Sequence, residues 1–297
     1  MKTDTETSTP SPVFILGVGA QKAGTTWLHQ YLMQDPAVNM GCLKEYHVWD
    51  AVFQPELHPQ LKHITTRPDR PEHAVRRLMQ EIPGNYEHYF RQLINERIRI
   101  TGDITPGYSS LTAAQFIQVR ESVESQGFNM RVVFLIREPA ARCWSAAKMV
   151  LRNRGLTPKK QAEFARQYFL NILQNEGVQH RTRYEHTIEA LRTAFNREQI
   201  YLGFYENMFE PEQINALSRF LGVAARPKFA SQVHNSTESL PIPLGLREAC
   251  NTEFADTYAY CFEHFPVTRT LWCQDNSEQD EKTQLGSLAS LLPWLKK

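Results

Sequence analysis

The chain contains no run of eighteen or more apolar residues, and its first residues, MKTDTETSTPSP, are polar where a secretory signal needs an apolar centre. No integral membrane segment is therefore expected, and a cytoplasmic location is. An excess of either charge is also missing: 33 Lys and Arg stand against 32 Asp and Glu, a net charge of +1. Without a bulk field, nothing draws the chain onto nucleic acid or an anionic membrane, and any bound anion must be caught by a local site. Cysteine is sparse: Cys42, Cys143, Cys250, Cys261 and Cys273 form an odd set with no C-x-x-C pair. That argues against zinc and a disulfide framework, and for idle or buried thiols.

What is present fits one large α/β domain: 297 residues, 41% hydrophobic and 22% charged. Short apolar runs alternate with amphipathic segments. VFILGV (Val13–Val18), the strand inside RIRITGDITPGY, RVVFLI (Arg131–Ile136) and QIYLGFY (Gln199–Tyr205) read as strands. TTWLHQYLM, EHAVRRLMQEI, YEHYFRQLI, REPAARCWSAAKMVLRNRG with Gly155 as its stop, YEHTIEALRTAF and PEQINALSRFLGV read as helices. This alternation predicts a P-loop-like three-layer fold, a central parallel sheet flanked by helices. The expected organisation is a disordered leader at 1–12, a single domain at 13–273 carrying a helical insertion at 52–97, and a linker with an amphipathic tail at 274–297. Packing of the tail on its own domain is favoured over a partner or membrane surface.

FILGVGAQKAGTTWL (Phe14–Leu28) has the strand, glycine loop and helix order of a phosphate site, where loop amides and a helix N-terminus meet an anion. Two common versions fail. A dinucleotide fingerprint needs glycine where Lys22 stands, and a Walker A loop needs lysine after its last glycine, whereas the order here is Lys22, Ala23, Gly24, Thr25, Thr26. A lysine on the near side of the loop suits a single phosphate and the atom bridging from it.

QKAGTTWL resembles the 5′-phosphosulfate loop of sulfotransferases that use 3′-phosphoadenosine 5′-phosphosulfate (PAPS). Three later segments extend the resemblance, which runs over roughly residues 13 to 225. REPAARCWS is similar to the 3′-phosphate motif R-x-P-x-x-R-x-x-S, with Arg137 and Ser145 as anchors and Arg142 expected in a structural salt bridge. KEYHVWD (Lys44, Glu45, His47, Asp50) resembles a segment of the glycosaminoglycan-modifying and bacterial branch. GDITPGYSSL fits G-E-K-[ST]-P-x-Y-L through Gly102, Asp103, Thr105, Pro106 and Tyr108, but Ile104 replaces the lysine, whose role is then absent or supplied by a group such as Lys44.

The resemblance implies sulfuryl transfer from PAPS to a hydroxyl, less readily an amine, of a small-molecule, glycan or lipid acceptor, with a bacterial cell as the favoured setting. Glu45 is the expected general base and His47 the second choice. Lys22 is expected to stabilise the leaving phosphate, and Lys22, Ala23, Gly24, Thr25, Thr26, Trp27, Arg137 and Ser145 to bind the cofactor without a metal. A basic C-terminal loop common in relatives is not recognisable, leaving Arg247 a weak candidate there. His58, His63, His73 and His88 match no zinc spacing and are expected in solvated proline-rich loops or along the acceptor pocket. Two other functions stay open: an Mg-ATP-dependent phosphotransferase and a non-catalytic nucleotide-binding protein. A homodimer is also left open.

Overall fold

The computed structural model describes residues 10–57, 70–152, 164, 168–232, 242 and 244–273. The expectations for residues 1–9, His58, His63, Gly155 and the segment from residue 274 onward lie outside the described residues. Val13–Gly19 (β1), Ile100–Ile104 (β2), Asn129–Ile136 (β3) and Ile200–Phe204 (β4) form one sheet in the order β2-β1-β3-β4, with every pairing parallel. Phe14, Ile15, Leu16, Val132, Val133 and Phe134 are fully buried, which is why β1 and β3 read as continuous apolar runs and not as alternations.

Between β1 and β2 lie Thr25–Leu32 (α1), Trp49–Phe53 (α2), Pro71–Glu81 (α3) and Asn85–Leu93 (α4). A 3₁₀ turn, Pro106–Ser110, and Ala113–Glu124 (α5) lead to β3, and Pro139–Arg152 (α6), Glu176–Thr182 (α7) and Tyr184–Ala194 (α8) lead to β4. Pro211–Leu221 (α9), Pro227–Gln232 (α10), Leu244–Glu253 (α11), Ala255–His264 (α12) and Val267–Cys273 (α13) follow. The central parallel sheet flanked by helices is the α/β architecture expected from the strand and helix alternation.

Local chemistry sets the ends of these elements. Thr112 and Gln115 close a reciprocal capping box at the start of α5. Pro211 starts α9, and Gly222 ends it in the left-handed conformation at φ 72°. His73 and His88 sit on α3 and α4 and not in loops, because the apolar spacing around them is helical.

Phe14 anchors β1 to α4: its ring meets Phe90 edge-on at 5.1 Å, Phe128 at 5.6 Å and Tyr86 at 6.1 Å. A second apolar cluster joins α6 to α11 through Ala140, Cys143, Trp144, Phe169, Cys250 and Phe254. Cys143, Cys250 and Cys261 are buried free thiols, and Cys42 is exposed. Phe14→Ala removes a fully buried ring from the centre of the sheet and should lower unfolding free energy by roughly 3–5 kcal/mol in a urea titration. A loss below about 1 kcal/mol would contradict this core assignment.

Candidate active site

In a parallel sheet the strands all end on one side, and the chain leaves β1 there through an irregularity between Gly17 and Gly19 in its pairing with β3. Lys22 and Gly24 both adopt positive φ, 71° and 92°. At Gly24 a Cβ would lie 2.7 Å from the Met208 sulfur, so the loop is held to glycine by strain and by space. Gly24 caps α1 without a side-chain hydrogen bond. The first-turn amides of Thr25, Thr26 and Trp27 therefore keep no intrahelical partner and form an anion-attracting end.

Arg137 reaches this loop from the end of β3. Its Nη1 donates to the Lys22 carbonyl at 3.2 Å, and its guanidinium lies 4.2 Å from the centre of the Tyr205 ring. The Lys22 ammonium stands 3.8 Å from the Met149 sulfur on α6, so α6 and the loop face each other. Ser145 is half-buried on the same helix and makes no hydrogen bond among the described residues. Lys148, one turn further along α6, has its pKa lowered by burial and by the Arg137 charge. A lysine, an arginine, a second lysine and a helix end around one space suit a phosphorylated ligand. The Trp27 ring is buried, stacked on Tyr31 at 4.9 Å and edge-on to Phe209 at 5.4 Å, so it is turned into the core.

The segment carrying Glu45 is fixed by Asp103 at the end of β2, a fully buried carboxylate. Thr105 and Tyr108 donate to it at 2.6 Å each and Tyr86 at 3.1 Å. The Tyr46 amide reaches Thr105 Oγ1 at 2.9 Å, and the Val48 amide reaches Tyr108 at 3.2 Å. Burial pushes the Asp103 carboxyl up to about 6, against the opposing effect of these donors and of the His47 charge.

On this support lies a chain of polar groups. Lys44 pairs with Glu45 Oε1, His47 Nε2 lies 3.3 Å from Glu45 Oε2, and His47 Nδ1 lies 2.7 Å from Asp50 Oδ2. Burial opposes charge on both Glu45 and His47, yet their mutual contact, with Lys44 and Asp50 outside it, holds Glu45 down at about 2 and His47 up at about 9. Arg76 donates to the Glu45 carbonyl at 2.7 Å and Gln80 to the His47 carbonyl at 2.6 Å. His29 on α1 feels the charges of Lys44 and Glu45, and Arg181 on α7 those of Asp50 and Glu45, so α1 and α7 both border this chain.

Residues 12–227 match the sequence profile described as the Sulfotransferase family. The chain belongs to the sulfotransferase family. A sulfotransferase from Alicyclobacillus acidocaldarius is 21% identical, covers 87% of this chain and 96% of its own, and has a TM-score of 0.53. The sulfotransferase domain from the curacin biosynthetic pathway is 16% identical over 83% of this chain and 98% of its own, with a TM-score of 0.45. That from the Synechococcus PCC 7002 olefin synthase is 15% identical over 85% and 97%, with a TM-score of 0.44. At 21% identity the first of these likenesses speaks to the fold alone. No curated protein matches the sequence, and the family match selects no branch.

Several side chains of this sulfotransferase differ from expectation. Arg142 makes no ion pair among the described residues; fully buried, it donates to Thr182 and to the Val178 carbonyl at 3.4 Å, closing the end of α7. Arg247 pairs with Glu138 at 3.1 Å, which occupies its charge beside Arg137. Ile104 is fully buried, and a Cβ on Gly17 would meet its side chain at 2.8 Å. Of the described histidines, His73 borders a groove beside Glu45, while His88 is exposed against Gln92. No helix among the described residues is long and apolar enough to cross a membrane, and none of their His, Cys, Asp and Glu side chains form a group able to hold a metal.

The His47 shift has a defined sign. Its folded pKa of about 9 exceeds the ordinary 6.5, so its stabilisation is complete below about pH 6.5 and is lost as pH rises through about 9. Urea midpoints should fall across that window, and His47→Gln should flatten that part of the profile. Identical profiles for the two proteins would refute the bridge.

Proposed function

We propose that the protein transfers the sulfuryl group of PAPS to a hydroxyl of a small-molecule, glycan or lipid acceptor. The observation that carries this reading is the approach of Arg137 to the Lys22 loop at the uncapped first turn of α1, with the Glu45 carboxylate on the segment that follows α1. Lys22 and the amides of Gly24, Thr25 and Thr26 hold the 5′-phosphate and meet the charge that grows on its bridging oxygen. Arg137 and Ser145 hold the 3′-phosphate, with Lys148 adding charge beside Arg137. Bound PAPS supplies the sulfuryl group, and anchoring at both ends turns remote contacts into alignment at sulfur.

Glu45 accepts the acceptor proton as the new oxygen–sulfur bond forms and the bond from sulfur to the phosphate oxygen breaks. Its low proton affinity makes this transfer late, completed only as the acceptor oxygen gives up its electron pair to sulfur. His47 already carries a proton between two carboxylates, so it orients Glu45 and does not compete as base. The cations and loop amides take the role that a divalent metal plays in ATP-dependent phosphotransfer.

Lys22→Ala and Glu45→Gln should each reduce PAPS-dependent transfer of labelled sulfate by at least about 100-fold, the scale of a lost electrostatic or acid–base contribution. Glu45→Gln should keep wild-type thermal stabilisation by 3′,5′-phosphoadenosine without magnesium. Full activity in both variants would sink the assignment. Stabilisation by ATP only with magnesium would favour the phosphotransferase, and binding without transfer to any acceptor would favour a nucleotide-binding protein.

A further inference from the structure

Beside Glu45 opens a groove of about 470 Å³ lined by Leu43, Lys44, Glu45, His47, Arg70, Glu72, His73 and Arg76. Within it Lys44 is matched by Glu45, and His47 lies between Glu45 and Asp50. The rest of the lining is Arg70, Arg76 and His73, with Glu72 as its one further carboxylate. Arg70 is exposed at the start of α3, whose first turn has no side-chain cap, so the helix dipole adds to the positive character.

Arg76 is the unusual member. It is 7% exposed; Nη2 donates to the Glu45 carbonyl, and the buried Nε has no hydrogen-bond partner among the described residues. Burial lowers its pKa, opposed by Tyr108, Asp103, Asp50 and Glu45 nearby, and a guanidinium keeps its proton in proteins. A desolvated guanidinium with open donors binds a carboxylate, phosphate or sulfate more strongly than a solvated one. Its tie to the Glu45 main chain also fixes its position relative to that carboxylate.

We infer that the acceptor carries, besides its reacting hydroxyl, an oxyanion group received in this groove by Arg70 and Arg76. The inference rests on Glu45 as the base, because that role brings the acceptor hydroxyl to the mouth of the groove. Neutral hydroxyl compounds then lose the Arg70 and Arg76 contacts and leave two cations unmatched. Lys44, already on Glu45, takes no part in this discrimination.

The experiment is calorimetric titration of the full chain, with and without saturating 3′,5′-phosphoadenosine. Three acids, glucuronic acid, glucose 6-phosphate and 4-hydroxybenzoate, are each compared with glucose or methyl 4-hydroxybenzoate as neutral counterpart. At least one acid should bind roughly tenfold more tightly than its counterpart, the scale of one charge-assisted hydrogen bond. That preference should shrink several-fold in Arg70→Gln and in Arg76→Lys. The acid that shows it separates carboxylate from phosphate recognition. Arg70 is exposed, so its variant keeps the fold even if substitution of Arg76 disturbs it. Equal or weaker binding of every acid, or a preference unchanged in both variants, overturns the inference. Failure of 3′,5′-phosphoadenosine to bind would instead remove the donor reading while leaving the groove's preference measurable in its absence.

Discussion

A single buried carboxylate, Asp103, holds the candidate site in place. It ends β2 and gathers the hydroxyls of Thr105, Tyr108 and Tyr86, and through Thr105 and Tyr108 it fixes the main chain at Tyr46 and Val48. Three stretches of sequence thus meet around one side chain. The arrangement is costly if incomplete, because a buried acceptor without donors forfeits its hydration for nothing. Completed, it leaves Glu45 and His47 little freedom at the main chain, and the side-chain contacts above them inherit that order.

Two halves of the site are built by different means. The anion-attracting half comes from the sheet itself: β1 and β3 end side by side, and Lys22 and Arg137 follow directly from them. The half that carries Glu45 and His47 is supported from β2 and closed by α3, a helix inserted between α1 and β2. His29 belongs to both, since α1 begins at the phosphate loop and its second turn lies beside Lys44 and Glu45.

The sheet was legible because fully buried strands write themselves as apolar runs, and the loop because positive φ and close approach demand glycine at fixed places. Residues after 226 read less well. Helices α10 to α13 pack with amphipathic stretches that are short and weakly periodic, and α5 passed unnoticed although Thr112 and Gln115 spell its cap. Glu45, Lys22 and Arg137 could be found from local motifs. Arg76 and Arg181 could not, since only tertiary folding brings α3 and α7 beside Glu45, and Lys148 lies on α6 just beyond its motif. Nor does a motif report state: that Glu45 and His47 shift each other in opposite directions follows from their contact, not from their order in the chain.

Gly17 and Ile104 lie opposite each other across the β1–β2 pairing, and the isoleucine side chain fills the volume where a Cβ at 17 would stand. The two positions share one space. A lysine at 104 would have to carry an ammonium through a fully enclosed position, while a larger residue at 17 would require a smaller one at 104. The coupling runs in one direction: position 17 gains a side chain only after position 104 has lost volume, so the order of substitution matters.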